Sequence, residues 1–130
     1  MQQAPSYTDV VAEVAQYLRQ RVEACAAAGI ARQRLVLDPG FGFGKTVQHN
    51  LQLLNGLPRF AELGLPLLVG LSRKSMIQKL IGRPVQERLP ASLALAVLAV
   101  ERGAAIVRTH DVAATADAVA MWTALSTEGK

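Results

Sequence analysis

Apolar residues recur along this chain in two ways, one at helical spacing and one in short unbroken runs. From about Tyr7 to Ala28, Val11, Val14, Leu18, Val22 and Cys25 return every three or four positions. That spacing puts them on one face of an amphipathic helix, and Gly29 supplies its C-terminal stop. Leu35-Val36-Leu37, Leu67-Leu68-Val69 and Ala105-Ile106-Val107 are instead continuous apolar triplets. Such runs predict parallel strands covered on both faces. Helices are predicted between and after them: near Val47 to Asn55, broken before Pro58; near Lys74 to Ile81, followed by a Gly82–Pro84 turn; and from about Ala91 to Arg102, stopped by Gly103. The uncharged stretch from Leu89 to Val100 reads as a buried helix, too short for the about 20 residues of a bilayer span. A last helix follows Asp111, a suitable N-cap, with Val112, Ala116 and Val119 on one face.

The elements therefore run as one helix and then three strand–loop–helix units, with no internal linker or low-complexity segment dividing residues 1–130. Returns through helices make these βα crossovers rather than hairpins. The fold class is α/β, either part of a closed (β/α)8 barrel or an open doubly wound sheet. Pattern alone does not choose. Both architectures put chemistry at the C-terminal ends of strands. There the polar residues gather: Asp38, then Ser72-Arg73-Lys74, then Arg108 and His110.

Composition narrows the partners. Apolar residues make up 51% of the 130 and charged residues 18%, which suits one domain with a real core. The net charge of +4 leaves anionic ligands open. Aromatics at 5%, with no basic run interleaved among them, argue against nucleic acid. Met1 to Tyr7 has neither a basic n-region nor an apolar h-region, so no secretory signal is expected. Cys25 stands alone and forms no internal disulfide, which fits a reducing cytoplasm.

Asp38-Pro39-Gly40-Phe41-Gly42-Phe43-Gly44-Lys45-Thr46 invites two misreadings. A P-loop needs glycine where Pro39 stands, and a dinucleotide fingerprint needs it where Lys45 stands. Neither motif holds. Three alternating glycines do permit close approach of backbone to a flat ligand, Phe41 and Phe43 can offer ring faces, and Asp38 can accept paired N–H donors from an amino-pyrimidine edge. The plain alternative is a surface loop whose aspartate caps the next helix. Ser72-Arg73-Lys74-Ser75 puts two cations and two hydroxyls on a turn into a helix, suited to phosphate or carboxylate, or else a solvated basic turn capped by Ser72. Arg108 and His110 alternate along a strand end and could share a side, with Arg suited to bidentate phosphate binding. Otherwise Arg108 pairs with Asp111 and His110 is exposed. His49 is expected at the surface, Cys25 in the core, and Met121 and Trp122 in packing or a subunit contact. There is no His/Cys metal cluster and no nucleophile elbow.

Together, the block Asp38 to Lys45, the block Gly70-Leu71-Ser72-Arg73-Lys74-Ser75 and the block Arg108-Thr109-His110-Asp111-Val112 resemble the dihydropteroate synthases of the pterin-binding family, in order and at the family's separation. Glu87-Arg88-Leu89 and Ala91-Ser92-Leu93-Ala94 fit between them, so the resemblance covers essentially the whole chain. It implies a TIM-type barrel. A full barrel runs to about 250 residues, so the chain is expected to be its C-terminal half, the last three βα units preceded by a helix. It implies a transferase that joins 6-hydroxymethyl-7,8-dihydropterin pyrophosphate to p-aminobenzoate, with sulfonamides as competitors. Mg2+ is implied with the substrate pyrophosphate, its protein ligand lying in the N-terminal half and none on this chain.

By position, the resemblance has Asp38 hold the pterin ring edge, and Phe43 beside Gly42 line the floor between the two substrates. Lys74 would contact the pterin and Ser75 would lie near the aminobenzoate carboxylate. Arg108 would stack on the pterin and, with His110, bind the departing pyrophosphate, making Asp38, Lys74 and Arg108 the catalytic group. The chain is expected to be inactive alone, and to form a homodimer through open strand edges. No nucleic-acid or membrane partner is expected. Two rivals remain: the pterin-binding domain of a corrinoid-dependent methyltransferase, and a non-catalytic binding or dimerisation module. The anion-binding pair counts against the first, whose methyl donor carries no pyrophosphate.

Overall fold

Asp9 opens the first helix by accepting the Ala12 backbone N–H on its carboxylate, while Glu13 reaches back to the Asp9 N–H. The computed structural model describes residues 8–128, so the expected start at Tyr7 and the segment before it lie outside the described residues. Helix α1 spans Val10–Ala27, and Val10, Val11, Val14, Leu18 and Val22 are buried along one face as the spacing required. Cys25 is only half-buried, because the helix outruns the core beneath it. Beyond Ala28 the chain turns at Gly29, whose φ of +90° is a left-handed stop.

A short 3-10 turn at Arg32–Arg34 leads to Leu37, which pairs in parallel with Leu67. The expected strand Leu35-Val36-Leu37 is thus reduced to one bridge, held by Leu37 N–H to the Pro66 carbonyl and Leu68 N–H to the Leu37 carbonyl. Val36 is 47% exposed on that side, so the triplet is not covered on both faces. Helix α2 spans Val47–Asn55 behind a capping box in which Thr46 and His49 satisfy each other's backbone N–H groups. His49 therefore has a structural task that its place in the sequence did not suggest. A 3-10 segment, Leu57–Leu63, seats Leu57 and Phe60 in the core at 0% exposure.

Strand β1, Leu68–Val69, is followed by helix α3, Ser75–Ile81, then a 3-10 turn at Val85–Glu87 and helix α4, Leu89–Glu101. Strand β2, Ile106–Val107, pairs in parallel with β1, Leu68 opposite Ile106 and Val69 opposite Val107. Helix α5 spans Val112–Glu128 and packs on α4. The three parallel segments thus lie side by side in their order along the chain.

Beyond Val36 and Cys25, burial departs from expectation in β2, where Ile106 is exposed, and in two helices. In α4 only Ser92, Ala96 and Ala99 are buried, while Leu89 and Leu98 stay more than a third exposed. The helix packs on β2 and α5, its fully buried positions are small residues, and Leu95 packs partly buried against the core. In α5 the buried residue is Thr115, not a face of Val112, Ala116 and Val119; Val112 is 69% exposed, and only Val119 is partly covered. Contact with α4 sets that face, and a helix apolar on nearly every side has no periodic signal to announce it.

Candidate functional site

The first loop is built on a buried anchor and an exposed ring. Phe41 is 2% exposed and belongs to the core, whereas Phe43, two residues on, is 58% exposed. Between them Gly42 has φ +87°, and a side chain there would meet the Lys74 stem. Its N–H donates to Oδ1 of the buried Asn50 at 2.9 Å. Lys45 turns back beneath the loop, and its Nζ donates to the Gly40 and Phe43 carbonyls at 2.8 and 3.0 Å. Burial lowers the Lys45 ammonium below its ordinary value, against the opposing pull of Asp38. Lys45 and Asn50 thus shape the loop from below and leave Phe43 facing out.

Asp38 ends the first strand segment. One carboxylate oxygen accepts the Gly40 N–H at 2.8 Å, and the other lies 3.5 Å from Nη1 of Arg108. Arg108 pairs with Asp38 and not with Asp111. The reason is local: Gly70 has no side chain, and an added Cβ would lie only 2.6–3.0 Å from the Arg108 guanidinium. Arg108 lies flat across that gap and reaches Asp38. Both partners are about half exposed, so the pair is weak and an incoming anion can displace it.

The second and third loops interlock. Ser72 does not cap α3, whose N-cap position is Lys74 and has no side-chain cap bond. Its hydroxyl oxygen accepts the His110 backbone N–H at 3.1 Å and the Thr109 hydroxyl at 3.4 Å. Ser72 Oγ also lies 2.9 Å from His110 Nδ1, and which of the two donates depends on the imidazole tautomer. Asp111, the expected cap of α5, accepts the Thr115 N–H on its backbone carbonyl, while its carboxylate turns to Arg73.

These loops enclose a cleft of about 410 Å³, lined by Gly70, Ser72, Lys74, Arg108, Thr109 and His110. Lys74 closes one side with its Nζ 4.8 Å from the centre of the Phe43 ring, a cation–π distance. A narrow crevice alongside is bordered by Gly42, Lys74 and Ser75. Asp38, Gly42, Phe43, Lys74, Ser75, Arg108 and His110, dispersed over the chain, are thereby linked around one rim. Arg73, Thr109, Asp111, Asn50 and Lys45 support that rim; of these, Asp111 was expected as a helix cap and Arg73 as a cation of an anion site. Arg73 and Asp111 stood inside the quoted blocks, but nothing in their order says that they pair. Among the described residues no three His, Cys, Asp or Glu side chains cluster to hold a metal ion.

Parallel strand ends here bring together a carboxylate, an exposed aromatic ring and convergent cations. Comparison with known proteins shows the family: a family profile for pterin binding enzymes matches residues 1–110, and the chain belongs to that family. Among curated relatives, the dihydropteroate synthase of Neisseria meningitidis serogroup C is 58% identical over 127 residues, 96% of this chain and 45% of the relative. The solved structure of the Xanthomonas albilineans dihydropteroate synthase in complex with 7,8-dihydropteroate superposes with a TM-score of 0.93 at 51% identity, covering 97% of this chain and 48% of that one. A Yersinia pestis dihydropteroate synthase in a sulfonamide drug complex superposes at 0.95 with 45% identity, covering 98% of this chain and 46% of that one. The chain thus spans about half the length of the relatives it matches. No helix of the described residues is long and apolar enough to cross a membrane.

Proposed function

We propose that the chain carries the pterin and diphosphate grips of a dihydropteroate synthase, a transferase that condenses 6-hydroxymethyl-7,8-dihydropterin pyrophosphate with p-aminobenzoate. One observation carries the reading: Lys74, Arg108 and His110 face a single cleft whose flanks are Asp38 and the Phe43 ring. In the reaction the aminobenzoate nitrogen attacks the pterin methylene carbon and the C–O bond breaks. Pyrophosphate departs with the bonding pair, and the nitrogen loses a proton. Positive charge grows on the pterin and negative charge on the leaving group. Arg108 and His110 meet the growing anion, and the Asp38 carboxylate favours the electron-poor ring. Lys74 braces the ring edge, and Ser75 at the neighbouring crevice suits the aminobenzoate carboxylate. No protein nucleophile is needed. We assign no residue of this chain to Mg2+; the ion would enter as part of the diphosphate substrate.

The architecture we infer is a segment of a (β/α)8 barrel. Support comes from the strand segments lying in sequence order, with no reversal of the kind that marks a doubly wound sheet. The outer edges remain open, with Val36 and Ile106 each more than two-fifths exposed. Three strands out of eight imply that turnover draws on further strands, while the grips described here should still bind. The free Cys25 suits a reducing compartment, and we place the reaction in the cytoplasm. Sulfonamides would enter at the aminobenzoate side.

Calorimetric titration of the chain with the pterin pyrophosphate tests the assignment. Binding should weaken roughly ten- to hundredfold in K74A and in R108A, as expected when a charged hydrogen bond is removed. Wild-type affinity in both variants, or preferential capture of methyltetrahydrofolate, would refute the assignment.

A further inference from the structure

Arg73 is the one non-glycine residue with positive φ among those described, at 55°. An L side chain rarely adopts that conformation and keeps it only where its surroundings over-determine it. Here three partners hold it. Its N–H donates to Oγ of the buried Ser92 at 2.9 Å, and its carbonyl accepts from Nη1 of Arg88 at 2.9 Å. Its guanidinium forks onto Asp111, Nε to Oδ2 at 3.1 Å and Nη2 to Oδ1 at 2.5 Å. Neither Arg73 nor Asp111 lines the cleft. Each nevertheless stands next to a residue that does: Lys74 follows Arg73, and His110 precedes Asp111.

We propose that Arg73 and Asp111 are a positioning pair that sets the span between Lys74 at the heterocycle end of the cleft and Arg108 with His110 at the diphosphate end. The pair ties the loop after β1 to the loop after β2, so a ligand gripped at both ends meets its contacts already at the right separation. Such preorganisation matters only to a ligand that uses both ends. The inference rests on reading the cleft as a pterin-diphosphate site.

The test uses two probes on the full chain, the pterin pyrophosphate and inorganic pyrophosphate, with calorimetry for affinity and thermal unfolding for integrity. The R73Q/D111N double variant removes one charge of each sign, so the net charge at the rim is unaltered. Its affinity for the two-ended probe should fall roughly tenfold while its affinity for pyrophosphate stays within about twofold. R73K keeps the charge but lacks the planar fork, and it should give the same pattern. If the double variant does not fold, S92A loosens the same loop from its backbone side and carries the comparison. Equal retention of both probes overturns the positioning role. So does equal loss of both with a lowered melting temperature, which would make the pair merely structural. A wild-type chain that ignores the pterin pyrophosphate overturns the reading of the cleft itself, and the inference with it.

Discussion

Gly70 shows how much one missing side chain can decide. Arg108 lies in the space that a Cβ at this position would fill, and from there reaches both the cleft and Asp38. The guanidinium is the mobile end of a long side chain, so G70A should displace it without disturbing the fold. We expect pyrophosphate affinity to drop roughly tenfold, with the denaturation midpoint nearly unchanged. Retained affinity, or a large loss of stability, would contradict this account. Asp111 carries the opposite lesson, because its partner is its own and not the ligand's. Hydrogen bonds from Arg73, opposed by desolvation and helped by charge from Arg73 and His110, hold its carboxyl below the usual aspartate range. A depressed native value means that the unfolded chain takes up protons first as the pH falls. The pair therefore adds stability above the ordinary carboxyl range and loses it as the pH drops through Asp111's native value. Melting temperature followed from roughly pH 5 to pH 2 should fall less steeply in R73Q than in wild type; parallel curves would show that the pair contributes nothing.

At the scale of elements, the strands are minimal and the loops after them hold most of the specific bonding. β1 and β2 are two residues each, and the first segment contributes a single bridge. The connections that hold the loops in place include Gly42 to Asn50 of α2, Arg73 to Ser92 of α4, and Ser72 to His110 across the strand ends. Helices thus act as struts for the rim as well as cover for the core. The apolar triplets and the helix stops at Gly29, Gly82 and Gly103 were legible in the sequence because each reflects a local backbone preference. The bonds from Asn50 and Ser92 were not. A polar residue on a helix gains a buried partner only through the approach of a distant loop, and periodicity does not record that approach.

The whole molecule leaves apolar surface uncovered. Val36 and Ile106 are exposed at the two edges of the sheet, and Met121 and Leu125 on α5 are more than 70% exposed. Open parallel edges and an apolar helix surface favour association over a monomer in water. We expect the chain to elute above its monomer mass in size-exclusion chromatography, with the proportion of the larger species rising with concentration. A monodisperse monomer with one cooperative unfolding transition would disprove this expectation.

Sequence by itself determined the order of helices and apolar runs and the clustering of polar residues where those runs end. These follow from short-range sterics and from burial at a fixed period, which neighbouring residues carry among themselves. It also determined the three blocks whose resemblance led to the pterin-binding family. Tertiary structure alone decided that Arg108 answers Asp38, that Asp111 answers Arg73, which face of α5 is buried, and that Lys74 meets Phe43. Each is a choice among several chemically suitable partners, made by distances that exist only once separate loops are brought to a common rim.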